Sequence, residues 1–168
     1  VSADSKQLLA FAQQYDEIVI KPLYLYGGQG VKRVKRLDYD KILQTSTPLF
    51  VQPFYNEVTA GEVRGFFAFG EPQAWCLKVP AAGNFLANTS YGATLKSYQP
   101  KPDELQLLTQ VAKSLYEVGV FFVGFDMIAG KISEINITSP RLLLPVQLDL
   151  APYHRIVAQI SEYLACDN

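Results

Sequence analysis

At 168 residues, 49% hydrophobic and 18% charged, the chain has the size and composition of one globular domain or of two small lobes. A formal net charge of −1 excludes the overall field that draws a protein to nucleic acid or to an anionic membrane. Cys76 and Cys166 lie far apart with no CxxC partner, which argues against a zinc site or a disulfide framework and for a reducing, cytoplasmic setting. No apolar run reaches about 18 residues, and the N-terminus lacks the basic and apolar regions of a signal peptide. The sequence opens at Val1, without methionine, and enters a helix at once. It reads as a fragment of a longer protein.

Ser2 or Asp4 can cap a first helix, with Leu8, Leu9, Ala12 and Tyr15 at helical spacing. Ile18-Val19-Ile20-Lys21-Pro22 is a β-branched run that stops at a proline. Tyr26-Gly27-Gly28-Gln29-Gly30 follows as a turn, and Val31 to Val34 leads out again as a strand. Asp38 can start a second helix through Tyr39, Ile42 and Leu43, and Phe50-Val51-Gln52-Pro53-Phe54 reads as a further strand. Antiparallel sheet is expected from Gly61 on: Val63 to Phe69, a turn at Gly70-Glu71, and a return from Pro72 to Val79. Residues 80–100 read as a long loop, of a kind that is often functional. Asp103 is the expected cap of a helix with Leu105, Leu108, Val111, Ala112 and Leu115 on its buried stripe. A hairpin then runs from Val120 to Pro140, and Pro152 begins a terminal helix through Ile156, Val157, Ile160 and Leu164. Strands and helices mix without strict alternation, so the fold class is α+β.

The last hairpin holds the most suggestive chemistry. Its apolar first strand carries one carboxylate, Asp126, and its second returns Glu134 and Asn136 two residues apart, hence on one face. A buried strand does not hold an unpaired carboxylate cheaply. Three oxygen-bearing side chains brought together would suit magnesium, which commonly takes one or two carboxylates plus substrate phosphates. That arrangement needs Asp126 opposite Glu134, which a three-residue loop with a left-handed Gly130 would give. A two-residue loop would place Asp126 opposite Ser133 instead, on the wrong face. The alternative is a half-exposed hairpin whose polar residues face water, and the residues alone leave both readings open.

Lys21, at the end of its strand, could reach over the glycine loop towards phosphate oxygens that the N–H groups near Gly27, Gly28 and Gly30 approach closely. The pattern is neither a Walker A nor a Rossmann motif, and a tight turn beside a snorkelling lysine explains it as well. Arg64 and Lys78 could neutralise phosphate, although exposed strand cations seldom do anything specific. Asn88 is most simply a turn residue. Lys32, Arg33, Lys35 and Arg36 form a basic cluster without a nucleic-acid motif and read as a solvated edge. His154 has no nucleophile arranged beside it.

Taken in order, Ile18 to Leu23, Gly27 to Gly30, Arg64, Lys78-Val79-Pro80, Phe122-Val123-Gly124-Phe125-Asp126 and Glu134-Ile135-Asn136-Ile137-Thr138-Ser139-Pro140 resemble the ATP-grasp domain of prokaryotic glutathione synthetase. The resemblance covers nearly the whole chain, and the last two segments are its most specific part. It implies an ATP-grasp fold: two α+β lobes enclosing a nucleotide, with a lid lobe at residues 1–54 and a larger, antiparallel-sheet lobe at 55–168. It implies ATP as cosubstrate, with Lys21 and the glycine loop on its phosphates and Gln52, Pro53 and Phe54 beside adenine. Lys78 would join the nucleotide contacts, and Arg64 and Asn88 would act on the transferring phosphate. Asp126, Glu134 and Asn136 would hold magnesium, with manganese as the alternative ion. The activity implied is an ADP-forming carboxylate–amine ligase of glutathione biosynthesis, working on an amino acid or dipeptide through an acyl phosphate. Its substrate domain would lie outside this chain. Neither nucleic acid nor membrane is an expected partner, and the sequence does not fix an oligomeric state. The chain departs from the family at three places, of which the glycine loop and Leu86 motivate a second reading, a degenerate module that binds nucleotide without catalysis. Tyr24 and Leu25 stand where the family carries an acidic residue and a further glycine, Leu86 and Ala87 precede Asn88 where an arginine and a glycine are usual, and Arg141 to Pro145 is unusually apolar.

Overall fold

The computed structural model describes residues 1–145 and 149–166 and divides into two compact units, Val1–Asn56 and Glu57–Asn168. In the first, helix α1 (Ser5–Ala12) is capped by Asp4, whose carboxylate accepts from the Lys6 and Gln7 N–H groups. Strands β1 (Glu17–Pro22), β2 (Lys32–Lys35) and β3 (Leu49–Pro53) make an antiparallel sheet in the order β2-β1-β3. The expected second helix shrinks to a 3₁₀ turn at Arg36–Asp38 and one α-turn, α2 (Tyr39–Ile42). Leu8, Ala12, Ile18, Ile20, Val34, Tyr39, Leu43 and Leu49 form the core of this unit.

The second unit is built on a five-stranded antiparallel sheet in the order β6-β5-β4-β7-β8. Its strands are β4 (Glu62–Ala68), β5 (Glu71–Val79), β6 (Thr94–Ser97), β7 (Phe122–Ile128) and β8 (Lys131–Asn136), with helices α3 (Pro102–Glu117) and α4 (Ala151–Cys166). The sheet's two faces differ in chemistry because side chains alternate along each strand. Val63, Phe67, Val123, Phe125 and Met127 point to one face and close a core with Leu108 and Ala112 of α3. On the other face Phe66, Ala68 and Ala74 pack with Phe122, Leu142, Leu144 and Ile156.

Several local expectations change. The β4–β5 turn is Phe69-Gly70 rather than Gly70-Glu71: both residues have positive φ, 52° and 77°, as a two-residue hairpin turn requires. Residues 80–100 are not one irregular loop, since they contain a 3₁₀ turn at Thr89–Tyr91 and the edge strand β6. Helix α3 starts one residue before Asp103, and Glu104 is buried on it while Leu105 is exposed. Glu104 is drawn inward because its carboxylate accepts from the Lys101 N–H at 3.0 Å and from the Tyr98 hydroxyl at 2.7 Å. Burial and this acidic neighbour push the Tyr98 phenol up to about 12. At the terminal helix, Asp149 accepts from the Ala151 N–H, and Arg155 fastens the helix to Gln73 on β5.

Candidate nucleotide and metal site

The β7–β8 hairpin reaches the expected register by an unexpected route. Its loop has two residues, Ala129 and Gly130, with φ of 52° and 73°, and Ile128 pairs with Lys131. That register continued would set Asp126 opposite Ser133. A bulge beside Met127 instead inserts Ser133 as an extra residue, and from there Asp126 pairs with Glu134 and Gly124 with Asn136. The three-residue loop is thus corrected, and the bulge does its job. Asp126 is buried at 5% exposure while Glu134 is exposed at the rim.

Register carries the row across the sheet. Arg64 on β4 pairs with Asp126 on one side and Cys76 on the other, and Glu62 pairs with Lys78. Arg64 and Lys78, read from sequence as exposed strand cations, are buried at 6% and 8%. Arg64 Nη1 donates to Asp126 Oδ2 at 2.8 Å, and its Nη2 donates to the Arg141 carbonyl at 3.3 Å. Lys78 Nζ lies 2.6 Å from Asp126 Oδ1 and also pairs with Glu62. Asn136 Nδ2 donates to Asp126 Oδ2 and to the Gly124 carbonyl, both at 3.3 Å. Two cations and two carboxylates share this knot, so it is electrically balanced while out of water. Among the described residues, buried Arg64 Nε and Ser133 Oγ have no hydrogen-bond partner, and Asp126 Oδ1 has only its ion pair with Lys78.

Electrostatics follow from the burial. Desolvation by itself would lower the Lys78 pKa, but Asp126 and Glu62 outweigh it and raise it, so the ammonium stays charged at neutral pH. Burial pushes the Cys76 thiol up to about 11, against the opposing pull of Lys78 and Arg64. Cys76 in the folded protein is therefore expected to resist alkylation by iodoacetamide at pH 7.5 and to react only once denaturant is added; rapid native labelling would contradict its burial.

Gly124 makes room for Arg64. A Cβ on this glycine would lie 2.6 Å from Arg64 Nη2 and 2.7 Å from Cζ, so the guanidinium lies where any other residue would put its side chain. The sequence holds this signal as the Gly124-Phe125-Asp126 spacing, legible once the strand register is known.

Lys21 is on β1, its ammonium 5.7 Å from the centre of the Phe50 ring. Gly27, Gly28 and Gly30 all have positive φ, and a Cβ on Gly30 would strike Pro22 at 2.9 Å, so the loop is built on glycine conformations. Gln52 and Pro53 pair with Val19 and Ile18. The Phe54 N–H donates to the Glu17 carbonyl at 3.0 Å and its ring carries the Arg33 guanidinium at 3.9 Å, so that N–H is already engaged. Arg33 also pairs with Glu17 and Arg36 with Asp16, which neutralises half of the basic cluster. Asn88 Oδ1 accepts from the Ser90 N–H at 2.8 Å and caps the turn that follows. The structure brings Arg64, Lys78, Asp126 and Asn136 into direct contact and sets Glu134 beside Asp126 in register. Sequence reasoning missed Glu62 and Gly124.

The fold defined by these two units is that of the ATP-grasp ligases. D-cycloserine synthetase DcsG superposes with a TM-score of 0.66 at 15% identity, covering 93% of this chain and 59% of that one. D-alanine–D-alanine ligase from Bacillus anthracis complexed with ATP gives 0.54 at 16% identity, covering 95% and 51%. Within that class, residues 1–148 match the family described as prokaryotic glutathione synthetase, ATP-grasp domain, and the chain belongs to it. The glutathione synthetase of Prochlorococcus marinus is 37% identical over 147 residues, covering 83% of this chain and 48% of the relative. That of Vibrio vulnificus is 33% identical over 158 residues, covering 88% and 49%. The chain spans about half the length of the curated relatives it matches. No helix among the described residues is long and apolar enough to cross a membrane.

Proposed function

We propose that this chain is the ATP-binding part of an ADP-forming carboxylate–amine ligase of the glutathione-synthetase kind, cytoplasmic and acting on an amino acid or dipeptide. The observation that carries the reading is the cluster of buried Arg64, Lys78 and Asp126 with half-buried Asn136 on one face of a sheet. A knot of this composition is a weak source of stability, since apolar packing of similar volume would serve as well or better. It does suit a site that must meet a polyphosphate and a divalent cation together.

The donor set has the composition that magnesium takes. Asp126 and Glu134 are register partners, and Asn136 touches Asp126, giving two carboxylates and one amide. Among the described residues no three His, Cys, Asp or Glu side chains gather to hold an ion unaided. That donor count suits an ion that shares its ligands with phosphate oxygens, and PsnB, an ATP-grasp ligase of like fold, has been solved with Mg and ADP. Bound there, the metal would neutralise charge on the transferring phosphoryl group. Asp126, Glu134 and Asn136 would hold it, and manganese is the alternative ion. Arg64, whose Nε–H has no hydrogen-bond partner among the described residues, would meet phosphate oxygen, and Lys78 would supply a second fixed cation. Lys21 and the glycine loop are proposed to contact the phosphates, with Gln52, Pro53 and Phe54 beside adenine. The chemistry is phosphorylation of a substrate carboxylate and attack of an amine on the acyl phosphate. It needs positioning and charge neutralisation but no protein nucleophile.

Glu134→Ala tests this directly, because Glu134 is at the rim and its loss should leave the fold intact. Calorimetry with ATP is expected to show at least a tenfold loss of affinity in the presence of magnesium and about none in its absence. Equal binding by the variant, or no binding by the wild type, contradicts the reading. The second reading, nucleotide binding without turnover, is favoured by Asn88, whose oxygen already caps a turn, and by the absence of arginine at Leu86. ADP release by the whole protein with candidate amino acids or dipeptides would refute it.

A further inference from the structure

Lys78 has two carboxylate partners, and only one of them is a proposed metal ligand. Its ammonium pairs with Asp126 Oδ1 at 2.6 Å and with Glu62, its register partner on β4. The Lys78 and Glu62 side chains are 10% and 16% exposed, so the pair is largely withdrawn from water. Asp126 is meanwhile claimed by Arg64 and Asn136 as well. A cation arriving at Asp126 competes with every one of these donors, and Lys78 is the one that a carboxylate outside the metal set already holds. A buried ammonium abandoned by its counter-ion would be costly. With Glu62 in place, Asp126 can turn to a metal and Lys78 still has a carboxylate.

We propose that Glu62 is a positioning residue of the nucleotide site: it retains Lys78 when Asp126 is given over to a divalent cation, and so lets metal and nucleotide bind together. The proposal rests on the reading of Asp126 as a metal ligand, and its charge accounting is simple. Without metal, Glu62 and Asp126 balance Lys78 and Arg64. With metal at Asp126, Glu62 balances Lys78, and the Asp126 and Glu134 carboxylates together with the nucleotide phosphates face Arg64 and the metal. Remove the Glu62 charge, and Lys78 either keeps Asp126 from the metal or stands unpaired beside it.

The test is the magnesium dependence of ADP binding, measured by calorimetry on the full chain for wild type, Glu62→Gln, Lys78→Met and the double variant, with melting temperature as a control for folding. Glu62→Gln is expected to raise the magnesium concentration needed for half-maximal ADP binding by about tenfold, while binding of metal-free ADP does not weaken. In the Lys78→Met background the same substitution is expected to change the magnesium requirement by less than about twofold, because its target is gone. Glu62→Asp, which keeps the charge, is expected to stay within about threefold of wild type and serves as the probe if Glu62→Gln fails to fold. An unchanged magnesium requirement in Glu62→Gln, or a Glu62→Asp as impaired as Gln, overturns the proposal. An effect of equal size with and without Lys78 also overturns it, since Glu62 would then act on the metal itself. These results leave the proposed function standing. Wild type that binds no ADP at any magnesium concentration sinks both.

Discussion

Replacing Asp126 with alanine is expected to lower the unfolding free energy by about 3–5 kcal/mol, the usual cost of removing one partner from a buried charge network. The reason is specific to this site. Asp126 is the counter-ion of Arg64, which also donates to the Arg141 carbonyl, and it is one of two carboxylates on Lys78. Alanine would leave the guanidinium buried on the sheet with no compensating charge. Asp126→Asn should do less damage, since an amide oxygen can still accept from Arg64. Urea unfolding followed by circular dichroism measures the difference. A loss for Asp126→Ala below about 1 kcal/mol, the range of exposed ion pairs, would mean that water reaches the cluster freely.

The second large effect belongs to Gly124→Ala. The added methyl would lie 2.6 Å from Arg64 Nη2, and the strand on either side of Gly124 is buried, so the guanidinium must move. Overpacking of this kind costs about 1–3 kcal/mol. The functional loss should exceed what that stability change explains, because Arg64 would leave both Asp126 and the station proposed for it at phosphate. The check is a double-mutant cycle: in an Arg64→Leu background the alanine should have little further effect on ATP affinity in the presence of magnesium, since its target has been removed. Additive losses would show that Gly124 matters for another reason.

How much of this was legible in the sequence varies by element. Capping at Asp4, the glycine loop and the polar pattern of Asp126, Glu134 and Asn136 are local features, and local features read well. The route to the Asp126–Glu134 register was not legible. A two-residue loop and a bulge at Ser133 give the same pairing as the longer loop expected, and no residue type marks the bulge. Burial of Arg64 and Lys78 was misread because a strand cation is ordinarily exposed. The correcting signal lay in Glu62, Arg64 and Phe66, which alternate onto one face together with Lys78, Asp126 and Gly124 of the neighbouring strands. That face is charged in one stretch and aromatic in the next, and only the cross-strand register shows that its charges cancel. Leu105 and Glu104 exchanged places for a similar reason, since the hydroxyl that draws Glu104 inward belongs to Tyr98, before the helix begins.

The Arg64–Lys78–Asp126–Asn136 cluster is proposed to meet a divalent cation and nucleotide phosphate. Paramagnetic broadening tests it residue by residue. Manganese added in trace amounts with ADP to the ¹⁵N-labelled chain should broaden the backbone amides of Gly124, Phe125, Asp126, Glu134, Ile135 and Asn136 most strongly, and excess magnesium should restore them. Broadening centred elsewhere, or none at these amides under saturating ADP, would contradict the account.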